Sequence, residues 1–286
     1  MGYAILATGL KAALVLESLP SRLQPSIVYY YRSSGEQSSA HERLVGAAGT
    51  RGLEVNPRAL PKFGEHDFVM SIGWQYLIEG ASGLVVLHDS LLPRFRGFAP
   101  TVTALLCGET RLGVTAIRAV SEVDAGPILS QHAVEIAPPI SIQHAFERLA
   151  ECYVSCITDV LEMRDSGRSV ERSQNHSAAS YSIWRDDLDF FVDWRQSADN
   201  IHSHILAVGY PYQGAMSRLD AIEVRIDTAE VIRDVGFEIR QPGKIWKLNS
   251  STSADVVCGE GMLRVEVSDP LNRDRPLLNR LRVRFS

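Results

Sequence analysis

The stretch LHDSLLPRFRG, Leu87 to Gly97, decides how the rest of the chain is read. It begins where the apolar run Leu84 to Leu87 ends, so a histidine and an aspartate stand just past a buried strand. Pro93 stiffens the loop, and Arg94, Arg96 and Gly97 make its far end basic. One reading is structural: His88 caps the strand and the arginines are solvated. The other is functional. In a parallel sheet, ligands bind beyond the carboxyl ends of the strands, and an imidazole there, with an ordinary pKa of about 6.5, suits proton transfer at neutral pH.

Working outward, strand and helix patterns alternate. Tyr3 to Ala7 is a short apolar run, and Leu10 to Leu19 has helical spacing ended by Pro20. Ser26 to Tyr31 is β-branched and aromatic. His41 to Ala48 reads as a helix, Asp67 to Ile72 as another buried strand, Pro100 to Cys107 as a helix and Leu112 to Arg118 as a strand. Gln131 to Ile136 alternates. Ser141 is a suitable cap for a long helix whose stripe runs Ile142, Ala145, Phe146, Leu149, Tyr153, Cys156, Ile157, Val160 and Leu161. This order predicts an α/β, Rossmann-like and mostly parallel sheet. Arg168 to Ser180 is polar and aperiodic and is expected to be a linker, which sets the domains at 1–178 and 179–286. Beyond it, Asp199 to Ala207 is helical. Ile222/Val224/Ile226, Leu263/Val265/Val267 and Leu281/Val283/Phe285 alternate, with a turn at Gly259-Glu260-Gly261. The expectation there is a smaller β-rich domain, an open barrel of the OB-like kind.

The totals narrow the function classes. The chain has 286 residues, 45% hydrophobic and 22% charged, with a net charge of -5, so phosphate-driven nucleic-acid binding is disfavoured. No window approaches the roughly 20 apolar residues of a membrane span. The start lacks the pattern of a signal peptide, and cysteine is sparse, so a cytoplasmic location is expected. Cys152 and Cys156 share a helix face, but no second Cys/His pair matches them. They read as small core residues, and no metal site is expected.

Thr8-Gly9 follows the first strand, but the G-x-G-x-x-G and P-loop patterns are missing, so a structural turn is expected there. No H-E-x-x-H or G-x-S-x-G occurs, which removes zinc hydrolysis and serine esterase chemistry. After the strand at Leu112 to Arg118 comes Ser121-Glu122-Val123-Asp124-Ala125-Gly126-Pro127-Ile128. Asp124 reads either as a turn aspartate or as a carboxylate that reaches the same sheet edge as His88. A carboxylate beside an imidazole orients it and favours its protonated form. A His–Asp pair with no Ser or Cys nucleophile suits a direct transfer with oxyanion stabilisation.

These blocks resemble the folate-dependent formyltransferases: H-x-S-L-L-P-x-x-R-G-x-x-P at His88 to Pro100, G-V-T at Gly113-Val114-Thr115 and D-x-G-x-I at Asp124 to Ile128. Tyr181 to Asp187, Asp193-Trp194, Gly209 to Ala215 and Arg280 to Ser286 look like enzymes that formylate amino sugars carried on nucleotides. The His-Asp-Ser form resembles those of the pseudaminic-acid type, which serve surface polysaccharide biosynthesis. The resemblance implies 10-formyltetrahydrofolate as co-substrate, a nucleotide-linked amino sugar as acceptor and a homodimer. It implies His88 and Asp124 as catalytic residues. The pterin is expected against Gly73, Trp74, Leu91, Leu92, Ser121, Glu122 and Val123. Arg94 and Arg96 are expected either at substrate or donor anions or in solvent, Trp184 and Tyr210 either on base and sugar or in a core, and Arg185 at a pyrophosphate.

The chain departs from the family at one position: the Asn two residues before the histidine is Val86, which cannot donate to a formyl oxygen. Gln75, after the neighbouring apolar run, carries an amide and is expected to substitute. Three alternatives stay open: a formyltransferase for initiator methionyl-tRNA, a formyl-folate hydrolase and a non-catalytic folate or sugar-nucleotide binding protein.

Overall fold

The structure is a computed structural model that describes residues 2–33, 35–57, 68–76, 78, 83–168, 170–220, 222–272 and 275–286. The chain divides into two compact units, residues 1–137 with 143–184 and residues 138–142 with 185–286.

In the first unit, four-residue apolar runs too short for a helix become strands, and longer amphipathic segments cross between them. The elements are β1 (Ala4–Ala7), α1 (Gly9–Ser18), β2 (Ile27–Tyr30), α2 (Ser38–Thr50), β3 (Glu54–Pro57), β4 (Val69–Ile72), β5 (Leu84–His88), β6 (Arg96–Gly97), α3 (Pro100–Leu106), β7 (Arg111–Arg118), β8 (Ile128–Glu135), α4 (Ile142–Ser166) and β9 (Tyr181–Ser182). The main sheet has the order β3-β2-β1-β4-β5-β7-β8. It is parallel from β3 to β5, with Ala4 opposite both Ile27 and Val69 and Val69 opposite Leu84. β7 and β8 then run antiparallel, and His88 pairs with Thr115. Residue 67 of the expected fourth strand lies outside the described residues.

β1 is wholly buried, as expected of a central strand covered on both faces. The predicted stripe of α4 is buried along its length from Ile142 to Leu161. Cys152 and Cys156 are buried free thiols within it, and burial pushes Cys156 up to about 12.

The order of connections reverses around β1, with β2 on one side and β4 on the other, so the crevice beyond their carboxyl ends is the place where a ligand is expected. The Thr8-Gly9 turn at that edge is filled from within. Glu36 accepts the N–H of Leu10 at 3.2 Å, and a Cβ on Gly9 (φ +71) would lie 2.2 Å from its carboxylate. Burial raises the Glu36 carboxyl, while Lys11 and the Leu10 N–H oppose the shift. The first turn of α1 thus carries the chain's own carboxyl group, and Thr8-Gly9 is the structural turn expected from the missing fingerprint.

The second unit holds α5 (Ala198–Ala207), β10 (Ala215–Leu219), β11 (Ile222–Ile232), β12 (Ile245–Leu248), β13 (Ser253–Val257) and β14 (Met262–Ser268), in one antiparallel sheet ordered β10-β11-β14-β13-β12. The 259–261 turn joins β13 to β14, with Val257 opposite Met262. Trp194 is buried, donates from Nε1 to Ser217 Oγ at 2.9 Å and packs on Phe285 with centroids 5.2 Å apart.

The alternation at Leu281, Val283 and Phe285 does not make a regular strand. Leu281 is exposed, and among the described residues the segment forms two isolated bridges, Leu219 with Phe285 and Lys244 with Arg284. The segment serves both sheet edges at once. Ser286 exchanges backbone bonds with Arg218 of β10, and Phe285 donates to Gly243, just before β12, at 2.8 Å. A residue divided between two edges cannot keep the pairing of either for long. The backbone of Phe285 leaves no room at Gly243 (φ +82), where a Cβ would lie 2.1 Å from the Phe285 carbonyl. Gly243→Ala is therefore expected to destabilise the second unit by more than about 1 kcal/mol. Urea denaturation followed by Trp fluorescence would show it as a lower midpoint.

Candidate active site

Three positions of positive φ outside glycine, Phe95 (57), Ala99 (46) and Asp124 (51), lie within two loops at the carboxyl edge of the sheet. Such strain persists only where surroundings over-determine it. Here they do. Thr115 of β7 sits under the first loop: its hydroxyl donates to the Ser90 carbonyl at 2.6 Å and accepts from the Leu92 N–H at 3.2 Å. Gln131 of β8 donates to both the Leu92 carbonyl and Thr115 Oγ1, at 3.0 and 2.9 Å. Ser90 Oγ closes the turn on Arg94 O at 2.7 Å. Gly113 is needed because a Cβ would meet Leu91 at 2.3 Å and the His132 carbonyl at 2.5 Å. The G-V-T block is thus the foundation of the histidine loop.

His88, at the end of β5, is 6% exposed. Its Nε2 lies 2.8 Å from the Phe95 carbonyl oxygen, and its Nδ1 lies 3.5 Å from Asp124 Oδ2. The Nε2 contact is a hydrogen bond, and the Nδ1 contact is a longer approach to the carboxylate. Asp124 Oδ2 in turn accepts the Gly97 N–H at 2.8 Å. Gly97 (φ +98) lies so close to the neighbouring strand that a Cβ would stand 2.4 Å from the Ser182 carbonyl. The imidazole and the carboxylate, 36 residues apart in the chain, converge at the cavity rim.

Asp89 has a different set of partners. Its carboxylate accepts from Lys11 Nζ at 2.8 Å, from Tyr153 OH at 3.4 Å and from the Thr101 hydroxyl. Burial pushes its carboxyl up, but Lys11, His88 and the Lys11 and Thr101 hydrogen bonds outweigh burial and hold it down at about 2.

These groups border a cavity of about 240 Å³ whose lining includes Lys11, Gly73, Trp74, Gln75, Tyr76, Val86, His88, Asp89, Phe98, Glu122, Val123 and Asp124. Trp74 packs edge-on against Tyr31 at 4.9 Å, and Tyr31 lies the same distance from Tyr76. Trp74 Nε1 is buried and has no hydrogen-bond partner among the described residues. Val86 presents an apolar side chain where the resemblance expects an amide. Gln75 shares the cavity, and its backbone N–H is held by the Tyr31 hydroxyl at 3.3 Å.

Several of the expected residues have side chains outside this lining. Leu91 covers Gly113, and Leu92 is buried with Ile117 and Ile128, so neither lines the cavity. Their apolar side chains serve the loop's own packing. Ser121 is exposed and stands outside the lining. Arg94 forms a two-point pair with Glu109, at 3.1 and 2.6 Å, and its guanidinium lies over the Phe95 ring. Arg96, only 1% exposed, is a structural cation rather than a solvated or substrate-facing one: its guanidinium donates to Gln174 Oε1 at 3.2 and 2.8 Å. Trp184 is 63% exposed in the first unit. Arg185 and Tyr210 are half-buried in the second, and Arg185 Nε has no partner among the described residues. Sequence reasoning missed Lys11, although its place just past the first strand of a parallel sheet was a usable signal. It also missed Tyr31, which reads as a strand aromatic, and Tyr76.

Comparison with known proteins gives a consistent picture. The model described as "Formyl transferase" matches residues 68–161, and "Formyl transferase, C-terminal domain" matches 186–275. A methionyl-tRNA formyltransferase of Nitrosospira multiformis is 30% identical over 185 residues, 65% of this chain and 58% of that protein. The chain therefore spans less than two thirds of that relative. Among solved structures, WlaRD, a sugar 3N-formyl transferase crystallised with dTDP and 5-N-formyl-THF, superposes with a TM-score of 0.67 at 15% identity, over 93% of this chain and 97% of that one. The N-formyltransferase from Helicobacter canadensis, in complex with folinic acid and dTDP-3-aminofucose, superposes at 0.65 and 13%, over 93% and 98%. At these identities the two structures establish a shared fold.

The Asp89 cluster makes a pH prediction. A carboxyl lowered from 3.8 to about 2 on folding stabilises the fold fully above its unfolded value and loses that contribution as pH falls through its folded value. The stability difference between the wild type and Asp89→Asn is expected to shrink by about 2 kcal/mol between roughly pH 4 and pH 2. Paired urea denaturation curves across that range would measure it.

Proposed function

The chain belongs to the formyl transferase family, whose two models together match more than half of it, and from that premise we propose that it moves a formyl group from 10-formyltetrahydrofolate to the amine of a nucleotide-linked amino sugar. The observation that carries this reading is the His88–Asp124 pair at the rim of a cavity with an aromatic wall. The amine nitrogen attacks the formyl carbon and the carbonyl oxygen becomes an oxyanion. The bond from carbon to the folate nitrogen then breaks, and the amine proton passes to that nitrogen. His88 stabilises the oxyanion and moves the proton, and Asp124 fixes the ring's orientation and charge. Gln75 supplies the amide donor that Val86 cannot. Trp74 offers a flat apolar face to the pterin, and Glu122 and Val123 border its edge. No metal takes part in this scheme.

Support for the sugar acceptor comes from the tail motifs and from the fold shared with two enzymes solved with dTDP or a dTDP-linked amino sugar. A second reading, formylation of methionyl-tRNA, is favoured by the Nitrosospira relative. The net charge of -5 weighs against it.

The test is incubation with 10-formyltetrahydrofolate and, in separate arms, a panel of nucleotide-linked amino sugars, charged initiator methionyl-tRNA, or no acceptor. The expected result is one added formyl group on an amino sugar, seen by mass. Formyl-methionyl-tRNA would establish the second reading, and formate without acceptor would make the protein a hydrolase. His88→Ala and Asp124→Ala are each expected to lower kcat by on the order of 100-fold or more while donor binding persists. Gln75→Ala is expected to cost about 100-fold in kcat, and an unchanged rate would remove Gln75 from the mechanism.

A further inference from the structure

The strap that runs from Arg172 to Ser182 contributes nothing to the cavity lining, yet it ties both catalytic loops together. Its Ser180 carbonyl and Ser182 carbonyl accept the N–H groups of Arg96 and Phe98, at 2.9 and 3.1 Å, as β6 and β9 pair. Between these ladders and the second loop stands Gln174, 6% exposed. Its amide is fully used. The oxygen accepts twice from the buried Arg96 guanidinium, and the NH2 group donates to the carbonyls of Asp124 at 2.8 Å and Gly126 at 2.7 Å. Those carbonyls flank the strained turn at Asp124 (φ 51) and a glycine whose Cβ would stand 1.8 Å from the Arg118 carbonyl. Arg96 reaches Glu122 only at 3.7 Å, so Gln174 is its nearer partner.

We infer that Gln174 is a positioning residue for the formyl transfer, acting through Asp124. It holds the backbone of the 124–126 turn so that the carboxylate stays between the Gly97 N–H and His88 Nδ1. The amide is suited to this place for a reason no other side chain of its size shares. It must accept from a cation on one side and donate to two carbonyls on the other. Glutamate keeps the Arg96 contact and loses both donors, so it separates the two roles.

The kinetic part of this inference rests on the formyl-transfer reading; the spectroscopic part does not. Gln174→Glu is expected to lower kcat by roughly 10- to 100-fold, because small displacements of a supporting group cost that much, while each KM moves less than about 3-fold. In an Asp124→Ala background the same change is expected to add less than about 2-fold, because the two residues act on one path. The nitrogen NMR signals of the His88 ring, assigned with His88→Gln, are expected to move in Gln174→Glu toward their positions in Asp124→Ala. Multiplying losses in the double variant, a loss carried by KM, or unmoved His88 signals would each overturn the inference. If Gln174→Glu does not fold, Gln174→Asn, with the same groups on a shorter stem, carries the same comparison. A wild-type protein that formylates no acceptor sinks the functional reading, and the His88 signals still decide the role of Gln174.

Discussion

The Gly97 N–H holds the Asp124 carboxylate, and much of the first unit is arranged so that this one bond can form. It needs a chain crossing close enough to Ser182 to forbid a side chain at residue 97, and a turn at residue 124 in a conformation that most residues avoid. Each requirement is met by a partner distant in sequence. Thr115 and Gln131 shore up the loop that carries His88. The strap at 172–182 closes the pair from the other side. The pair at the cavity rim is small, one imidazole and one carboxylate, and the structure that fixes it is large.

Two carboxylates one loop apart illustrate how environment divides labour. Asp124 meets an imidazole and a backbone amide. Asp89, the residue next to His88, meets a lysine, a threonine and a tyrosine, and its ionised form is locked in. Alternation along a strand end sends neighbouring side chains to opposite sides, so adjacent acidic and basic residues end in unrelated company. The Asp89 cluster ties α1, the histidine loop, α3 and α4 together, which makes it a structural joint beside the His88–Asp124 pair.

The parts legible in the sequence were those governed by local pattern. Short apolar runs became strands, the α4 stripe was buried as its spacing required, and the order of His88, Gly113 and Asp124 placed three blocks around one edge. What stayed hidden depended on distant partners. Arg96 in a basic loop reads either as a ligand of substrate or donor anions or as solvated, because nothing nearby announces that Gln174, 78 residues later, will accept from it. Gln174 itself lies in a polar, aperiodic segment that reads as a linker. Leu91 and Leu92 read as pterin neighbours through the backbone of a loop at the sheet edge, and the packing of their side chains on Gly113, Ile117 and Ile128 depends on strands further along the chain. In the second unit, alternation at 281–285 predicted a strand. Division of the segment between two sheet edges gave isolated bridges instead, a choice that no window of a few residues records.

Glu36 has a wider consequence. In many α/β proteins the first helix after the first strand offers its amino end to a ligand's phosphate. Here the chain has seated one of its own acids on that perch. A phosphate arriving at this turn would find the Leu10 N–H already taken and the space above Gly9 already filled.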